Sequence, residues 1–266
     1  MAQPETTPTP DQPVLFTKIS EHIALVTLNR PAARNAINRA ATQLLEAYVR
    51  AIEEDGDIRI AILAAAGEKA FCAGADLAEI ASGHGQSLLT QDGGFAGFVR
   101  AQRRKPWIAA VQGFALGGGL ELSLACDLIL AAKGALFGLP EPSRGILAGA
   151  GGMFRLPRAI PRAIALEMLI TGAPIDAARA YELGLVNRVV DEADLVAEAI
   201  RIAERVAANA PMSVRESLAI GRIANEQTEA ALWQISAAAS ARVLACDDSR
   251  EGPRAFVEKR PPVWRG

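Results

Sequence analysis

The chain has 266 residues, of which 50% are hydrophobic and 22% charged, so it can bury the core of one large domain, with or without an appendage. Its 28 Lys and Arg residues nearly balance 30 Asp and Glu residues, and a formal net charge of −2 argues against a general nucleic-acid or anionic-membrane binding surface. Three cysteines without a C-x-x-C pattern and only two histidines argue against a disulfide framework, a metal cluster and a Ser-His-Asp triad.

The N-terminal part predicts a short leader followed by alternating strands and helices. Residues 1–13 contain four prolines and no basic-then-apolar signal pattern, which predicts a disordered leader on a cytoplasmic protein without a membrane segment. Apolar, partly β-branched runs predict strands over residues 14–18, 23–28, 58–64, 107–112 and 128–131. The first two runs are separated by Ser20-Glu21 and suggest a pair of strands. Helices are expected after Asn38 and over 120–125, so the strands that alternate with helices should be parallel with the helices packed outside them.

The pattern changes towards the C-terminus. Residues 82–97 contain several glycines and few apolar anchors, which predicts a mobile loop of the kind that often covers a site. The strand-like segment 186–190 is surrounded by predicted helices over 161–171, 176–183, 194–209, 211–224 and 228–245. We therefore expect an α/β core over residues 14–200 and a helical region over 201–266 that packs on its own core or on another chain.

Two glycine-rich segments could bring backbone N–H groups close to a ligand. Residues 115–121 and 149–152 match neither the dinucleotide-binding nor the P-loop pattern, but the first opens a helix, where free N–H groups can hold an oxyanion. The structural alternative is a helix–strand crossing where only glycine fits. The small residues of 71–76 are a second source of donors, or else a tight turn with Asp76 as a helix cap.

Two glutamates are candidates for acid–base chemistry. Glu121 lies in an otherwise apolar helical segment, and Glu141 follows a tight apolar turn. Either could be an ordinary solvated carboxylate. If both face one pocket, they could handle a water molecule and a proton together.

Ordered motifs along the chain resemble the enoyl-CoA hydratase/isomerase (crotonase) family. The first motifs are Asn29-Arg30-Pro31 and Arg34-Asn35-Ala36. The others, in one-letter code, are AFCAGADL at 70–77, QGFALGGGLE at 112–121, CD at 126–127, FGLPE at 137–141, GAGG at 149–152 and RLP at 155–157. Weaker matches continue through 169–172, 180–186 and 256–260, so the resemblance covers roughly residues 14–264. Each motif alone is unspecific, but their order and spacing are specific.

The resemblance implies a spiral of ββα turns, a helical trimerisation region and binding of acyl-CoA thioesters without a metal or cofactor. The family's two oxyanion-hole N–H groups would fall on Ala73 and Gly118, and its two catalytic glutamates on Glu121 and Glu141. The residues that the resemblance implies for coenzyme A binding are Arg34, Ala36, Ala73, Ala75, Asp76, Leu77, Phe256 and Lys259. The assembly implied is a homotrimer or a dimer of trimers.

Both glutamates together favour an enoyl-CoA hydratase over an isomerase, which needs only one of them. A dehydratase for another acyl-CoA, a non-catalytic acyl-CoA-binding member and an RNA-binding relative are the alternatives, and the near-neutral charge argues against RNA. Residues 142–144 and Met153 differ from many relatives, which bears on acyl-chain preference. Ala32 replaces a lysine of some relatives, so phosphate binding depends on other residues.

Overall fold

A computed structural model describes residues 11–266 of the chain. Its strands are β1 (Val14–Ser20), β2 (Ile23–Leu28), β3 (Ile60–Ala65), β4 (Ala70–Cys72), β5 (Leu89–Thr90), β6 (Gly94–Phe95), β7 (Trp107–Val111), β8 (Phe114–Leu116), β9 (Leu128–Ala132), β10 (Leu136–Gly138), β11 (Ile175–Asp176) and β12 (Arg188–Val190). Its helices are α1 (Arg39–Glu54), α2 (Leu77–Ala81), α3 (Gly118–Ala125), α4 (Gly152–Ala159), α5 (Arg162–Thr171), α6 (Ala177–Glu182), α7 (Leu195–Ala207), α8 (Pro211–Ile223), α9 (Glu229–Ala245) and α10 (Asp248–Glu258).

The larger sheet has the order β1-β2-β3-β7-β9-β12 and confirms the predicted α/β class. Every pair is parallel except β1 with β2, and β7 is buried along its whole length. Parallel neighbours need crossover connections, which is why the strand signals in the sequence alternate with helical ones. One apolar cluster fills the space on one face of this sheet, and a second lies under α7 on the other face.

The smaller sheet positions the loops that matter for function. Its order is β11-β10-β8-β4, with β4 and β10 both parallel to β8. The carboxyl ends of these three strands therefore meet at one edge of the sheet. Ligands of open α/β sheets commonly bind at such an edge.

Two helices that the sequence patterns do not predict contain an internal proline. Pro157 lies in α4 and Pro253 in α10. Proline is strongly disfavoured inside an isolated helix, because it removes a hydrogen bond and its ring crowds the preceding turn. Tertiary packing of Leu156 and Ala255, both buried, outweighs that local preference here.

The prediction of a mobile loop over residues 82–97 is wrong. This segment contains a 3-10 turn and the antiparallel hairpin β5–β6, and it buries Leu88, Phe95 and Ala96. Its apolar side chains are few, but they reach the core, so they hold the segment in place. Of the predicted leader, residues 1–10 lie outside the described residues, while Pro13 accepts a hydrogen bond from the Asn29 N–H at 2.8 Å.

The C-terminal helices leave large apolar side chains uncovered. Ala239 is the one buried residue of α9, whereas Trp233 and Leu244 of the same helix are about 70% exposed. By contrast α7 packs as a unit against the larger sheet, so the predicted domain boundary at residue 200 falls inside a core helix. Within residues 11–266, none of the helices is long and apolar enough to span a membrane.

Candidate active site

A cavity of about 1160 Å³ opens at the carboxyl ends of β4, β8 and β10. Each strand contributes the residues that directly follow it. The chain after β4 supplies Ala73 to Ala75, the chain after β8 supplies Gly117, Gly118 and Glu121, and the chain after β10 supplies Glu141. The parallel register of the smaller sheet is thus what brings residues from three distant segments into one cavity.

Glu121 is buried in the wall of this cavity. It lies in the first turn of α3 and is only 3% exposed, and its Oε1 accepts a hydrogen bond from the Gly152 N–H at 2.9 Å. Burial raises the pKa of Glu121 from 4.5 to about 7, with a further rise from Glu141, against the lowering effects of the Gly152 N–H and the charge of Arg155. Near neutral pH the carboxyl can therefore either give or take a proton.

Glu141 shares the cavity and is also withdrawn from solvent. It begins a 3-10 turn that follows β10 and is 6% exposed, and its Oε2 is buried with no hydrogen-bond partner among the described residues. Burial raises the pKa of Glu141, although Arg144 opposes the rise. A methyl group at Gly117 would lie 3.0 Å from Glu141 Oε1, so glycine is what lets the carboxyl approach the start of α3. The structure brings the two sequence-predicted glutamates together, as two acids in one cavity.

Two backbone N–H groups at the cavity wall have no acceptor within residues 11–266. They belong to Gly118, at the start of α3, and to Ala75, in the turn after β4. The two turns are in contact, because a methyl group at Gly74 would lie 3.1 Å from the Gly118 nitrogen. Adjacent free N–H groups at a helix start can stabilise a negatively charged oxygen.

The assignment of an oxyanion donor to Ala73 does not fit the structure. Its N–H already donates to the Arg34 carbonyl at 3.0 Å, whereas the Ala75 N–H, two residues further on, is free. The hydrogen bond from Ala73 ties the turn after β4 to the segment after β2. Ala73 therefore supports the turn, and Ala75 is the residue that offers a donor.

The sequence-predicted coenzyme A residues divide into two groups. Arg34, Ala36, Ala73, Ala75 and Leu77 line the cavity. The remaining three, Asp76, Phe256 and Lys259, do not line it.

The three residues outside the cavity have other surroundings. Asp76 caps α2 through the Ala78 N–H and forms a 2.9 Å ion pair with Arg30, so its side chain is engaged within the fold. Phe256, near the end of α10, is 85% exposed, and Lys259 follows that helix in a left-handed conformation. Within the chain, α10 does not bring these two residues to the site.

Several cavity residues were not expected from the sequence. Phe95 lies in the segment taken for a mobile loop, and Phe154 and Arg155 lie at the start of α4. Arg155 donates to the carbonyls of Val99 at 2.6 Å and Ala150 at 3.4 Å, so it joins two walls of the cavity. The one sequence signal that could have indicated these residues is the aromatic Phe95 among the glycines of 93–97.

Residues 11–266 hold no group of three or more His, Cys, Asp or Glu side chains that could bind a metal ion. Burial raises the pKa of the Cys72 thiol to about 12, so it is not poised as a nucleophile. The carboxyl groups that line the cavity are those of Glu121 and Glu141, and its other ionisable lining residues are arginines.

Known proteins of similar sequence cover nearly the whole chain. YngF of Bacillus subtilis strain 168, which has only a provisional name as an enoyl-CoA hydratase/isomerase, is 41% identical over 261 residues, covering 95% of this chain and 98% of its own. The carnitinyl-CoA dehydratase of Proteus mirabilis strain HI4320 is 38% identical over 246 residues, which cover 91% of this chain and 94% of the dehydratase.

The fold agrees with these similarities. The crystal structure of enoyl-CoA hydratase from Mycobacterium tuberculosis H37Rv superposes with a TM-score of 0.92 at 39% identity, covering 96% of this chain and all of that one. A sequence profile described as enoyl-CoA hydratase/isomerase matches residues 18–266. The chain therefore belongs to the enoyl-CoA hydratase/isomerase family, whose members act on acyl-CoA substrates.

Proposed function

We propose that the protein adds water reversibly across the 2,3 double bond of an enoyl-CoA thioester. The observation that carries this proposal is the presence of Glu121 and Glu141, both buried and both with raised pKa, in one cavity beside two free backbone N–H groups. Hydration needs one group that activates water and one that delivers a proton. It also needs a place for the negative charge that develops on the thioester oxygen.

The backbone donors supply that place. The thioester oxygen would accept hydrogen bonds from the N–H groups of Gly118 and Ala75. Addition of water at C3, or deprotonation at C2 in the reverse direction, puts enolate-like charge on this oxygen, and fixed donors that need no reorganisation stabilise such charge most. Ala75 takes the role that the sequence pattern had assigned to Ala73.

The two carboxyl groups divide the remaining work. In the hydration direction, ionised Glu121 takes a proton from a water molecule while the water oxygen bonds to C3. The double-bond electrons move towards C2 and the thioester, and neutral Glu141 delivers its proton to C2. The net change is one water added, and proton exchange with solvent restores both carboxyl groups. The unpaired Oε2 of Glu141 and the bonded Oε1 of Glu121 support this division.

Dehydration of a hydroxyacyl-CoA is the second candidate direction. It uses the same groups in reverse, and the similarity to carnitinyl-CoA dehydratases supports testing it. An isomerase that moves the double bond would need only one carboxyl group. The retention of two buried carboxyl groups therefore favours water chemistry, and no cofactor is needed for it.

We propose that the protein acts as a homotrimer or a dimer of trimers. The uncovered apolar side chains of α9 and α10 are the support for an assembly, since large exposed apolar patches commonly mark contact surfaces. Phe256 and Lys259 would contact coenzyme A only if assembly brought them to a cavity. Their role therefore depends on the oligomer.

The function is tested with crotonyl-CoA, by following loss of absorbance of the conjugated thioester. Glu121→Gln and Glu141→Gln should each lower kcat by about 10²–10⁴-fold, because each removes a positioned acid–base group. Glu167→Gln, on the exposed surface of α5, is the matched control and should keep normal turnover. If wild-type protein neither hydrates crotonyl-CoA nor dehydrates 3-hydroxybutyryl-CoA, the proposal fails.

A further inference from the structure

A short hairpin holds an aromatic side chain in the cavity wall. Leu89 of β5 lies opposite Phe95 of β6, and the Ala96 N–H donates to the Leu88 carbonyl at 2.9 Å. Ala96 is fully buried and has a φ of +58°, a conformation that non-glycine residues adopt only where the surrounding structure imposes it. The hairpin and the buried Ala96 therefore hold the backbone of Phe95 in place, and the Phe95 side chain, which is 7% exposed, lines the cavity.

The ring of Phe95 lies against the oxyanion-hole residue Gly118. A methyl group at Gly118 would lie 2.5 Å from Cε1 and 2.7 Å from Cζ of the ring, so the ring tip occupies the space that any larger residue would need. On its other side, the same methyl position lies 3.3 Å from the Gly74 Cα. Gly118 is thus enclosed between the turn after β4 and the Phe95 ring.

Glu141 approaches the preceding residue of the same turn. Its Oε1 would lie 3.0 Å from a methyl group at Gly117, whereas the Phe95 ring meets the methyl position of Gly118. C2 of the acyl group is bonded to the thioester carbon and must come within reach of Glu141 to exchange its proton. A thioester oxygen held by the Gly118 N–H would therefore place C2 between the carboxyl group and the ring.

We propose that Phe95 determines specificity by excluding acyl groups that are branched at C2. This inference rests on the proposed function, since it uses the oxyanion site and Glu141 to locate C2. The substrates it selects are enoyl-CoA thioesters with hydrogen, not methyl, at C2. A methyl group that does not fit a packed apolar wall costs roughly 10- to 200-fold in selectivity, because the neighbouring atoms must move to admit it.

The kinetic test compares kcat/KM for crotonyl-CoA and for 2-methylcrotonyl-CoA. The two thioesters differ in intrinsic reactivity, so the decisive quantity is the change in their ratio between variants. Phe95→Leu should reduce the preference for the unbranched substrate at least tenfold, mainly by raising kcat/KM for 2-methylcrotonyl-CoA. The reason is that leucine is smaller than phenylalanine and leaves space for about one methyl group. Phe154→Leu is the matched control, because that ring lines the cavity but is 51% exposed and lies near Arg155 and Arg158. It should leave the ratio unchanged.

A binding measurement separates this proposal from the proposed function. Calorimetry with butanoyl-CoA and 2-methylbutanoyl-CoA, which are saturated and do not react, should show the same shift in affinity ratio for Phe95→Leu and none for Phe154→Leu. If Phe95→Leu does not fold, Phe95→Met replaces it, because its flexible side chain also opens the wall. If Phe95→Leu shifts the affinity ratio but the wild-type protein hydrates no enoyl-CoA, the proposed function is refuted and the role of Phe95 in excluding C2 branches is retained. Unchanged ratios for the Phe95 variant, or equal shifts for both variants, would overturn the inference.

Discussion

Replacing Glu121 with glutamine should stabilise the folded protein above neutral pH while it removes most of the activity. In the folded chain burial raises the pKa of Glu121 to about 7, whereas in the unfolded chain it returns to about 4.5. At pH values between these two pKa values, the folded state binds more protons than the unfolded state. Stability therefore falls as pH rises from about 4.5 through 7, and the ionised carboxylate destabilises the fold fully above that range.

The size of the effect follows from the same two values. At about 1.4 kcal/mol for each factor of ten in proton affinity, a rise from 4.5 to about 7 corresponds to about 3 kcal/mol. Glu121 is 3% exposed, so solvent screening reduces this figure little. Glutamine has nearly the same shape, cannot ionise and keeps an oxygen that can accept the Gly152 N–H. At pH 8 the variant should be about 3 kcal/mol more stable, or about 5–10 °C higher in Tm for a chain of this size.

Denaturant unfolding at several pH values measures the prediction. Wild type and Glu121→Gln should be compared at one protein concentration and in the same oligomeric state, since assembly itself shifts apparent stability. The difference should be largest at pH 8 and small near pH 4.5, where the carboxyl is neutral in the folded state. Glu167→Gln, on the surface, should stay within about 0.5 kcal/mol of wild type. Equal stability of wild type and Glu121→Gln at pH 8 would show that the folded protein does not hold Glu121 as a costly buried charge.

Three further predictions follow from the site and the helical region. First, kcat/KM should fall as pH is lowered through about 7, because Glu121 must be ionised to accept a proton from water; a rate profile that stays flat down to pH 5 would contradict this. Second, Gly118→Pro should lose about 2.7–4 kcal/mol of transition-state stabilisation with the N–H, measured as kcat/KM after circular dichroism has shown a folded protein, and full activity would exclude this donor. Third, light scattering should report three or six protomers, and Trp233→Glu, at a 70% exposed position of α9, should reduce that number; a wild-type monomer with full activity would refute the assembly.

Much of the architecture could be predicted from the sequence because it depends on local pattern. Apolar strand segments alternating with helical ones indicated a parallel sheet, and the larger sheet has that form from β2 to β12. Glu121 and Glu141 stood out because a carboxylate in an apolar segment requires an explanation. The family could also be named, since ordered motifs survive changes elsewhere in the chain.

Tertiary structure alone decided which backbone groups are free and which side chains meet. Whether an N–H is available depends on pairing between segments far apart in sequence, and the Arg34 carbonyl occupies that of Ala73 while leaving Ala75 free. Residues 82–97 are held in place because Phe95 reaches the core and its ring contacts Gly118, and no local sequence pattern encodes that contact. Motif spacing identifies the residues that could form this site, whereas hydrogen bonding and packing between distant segments select those that do.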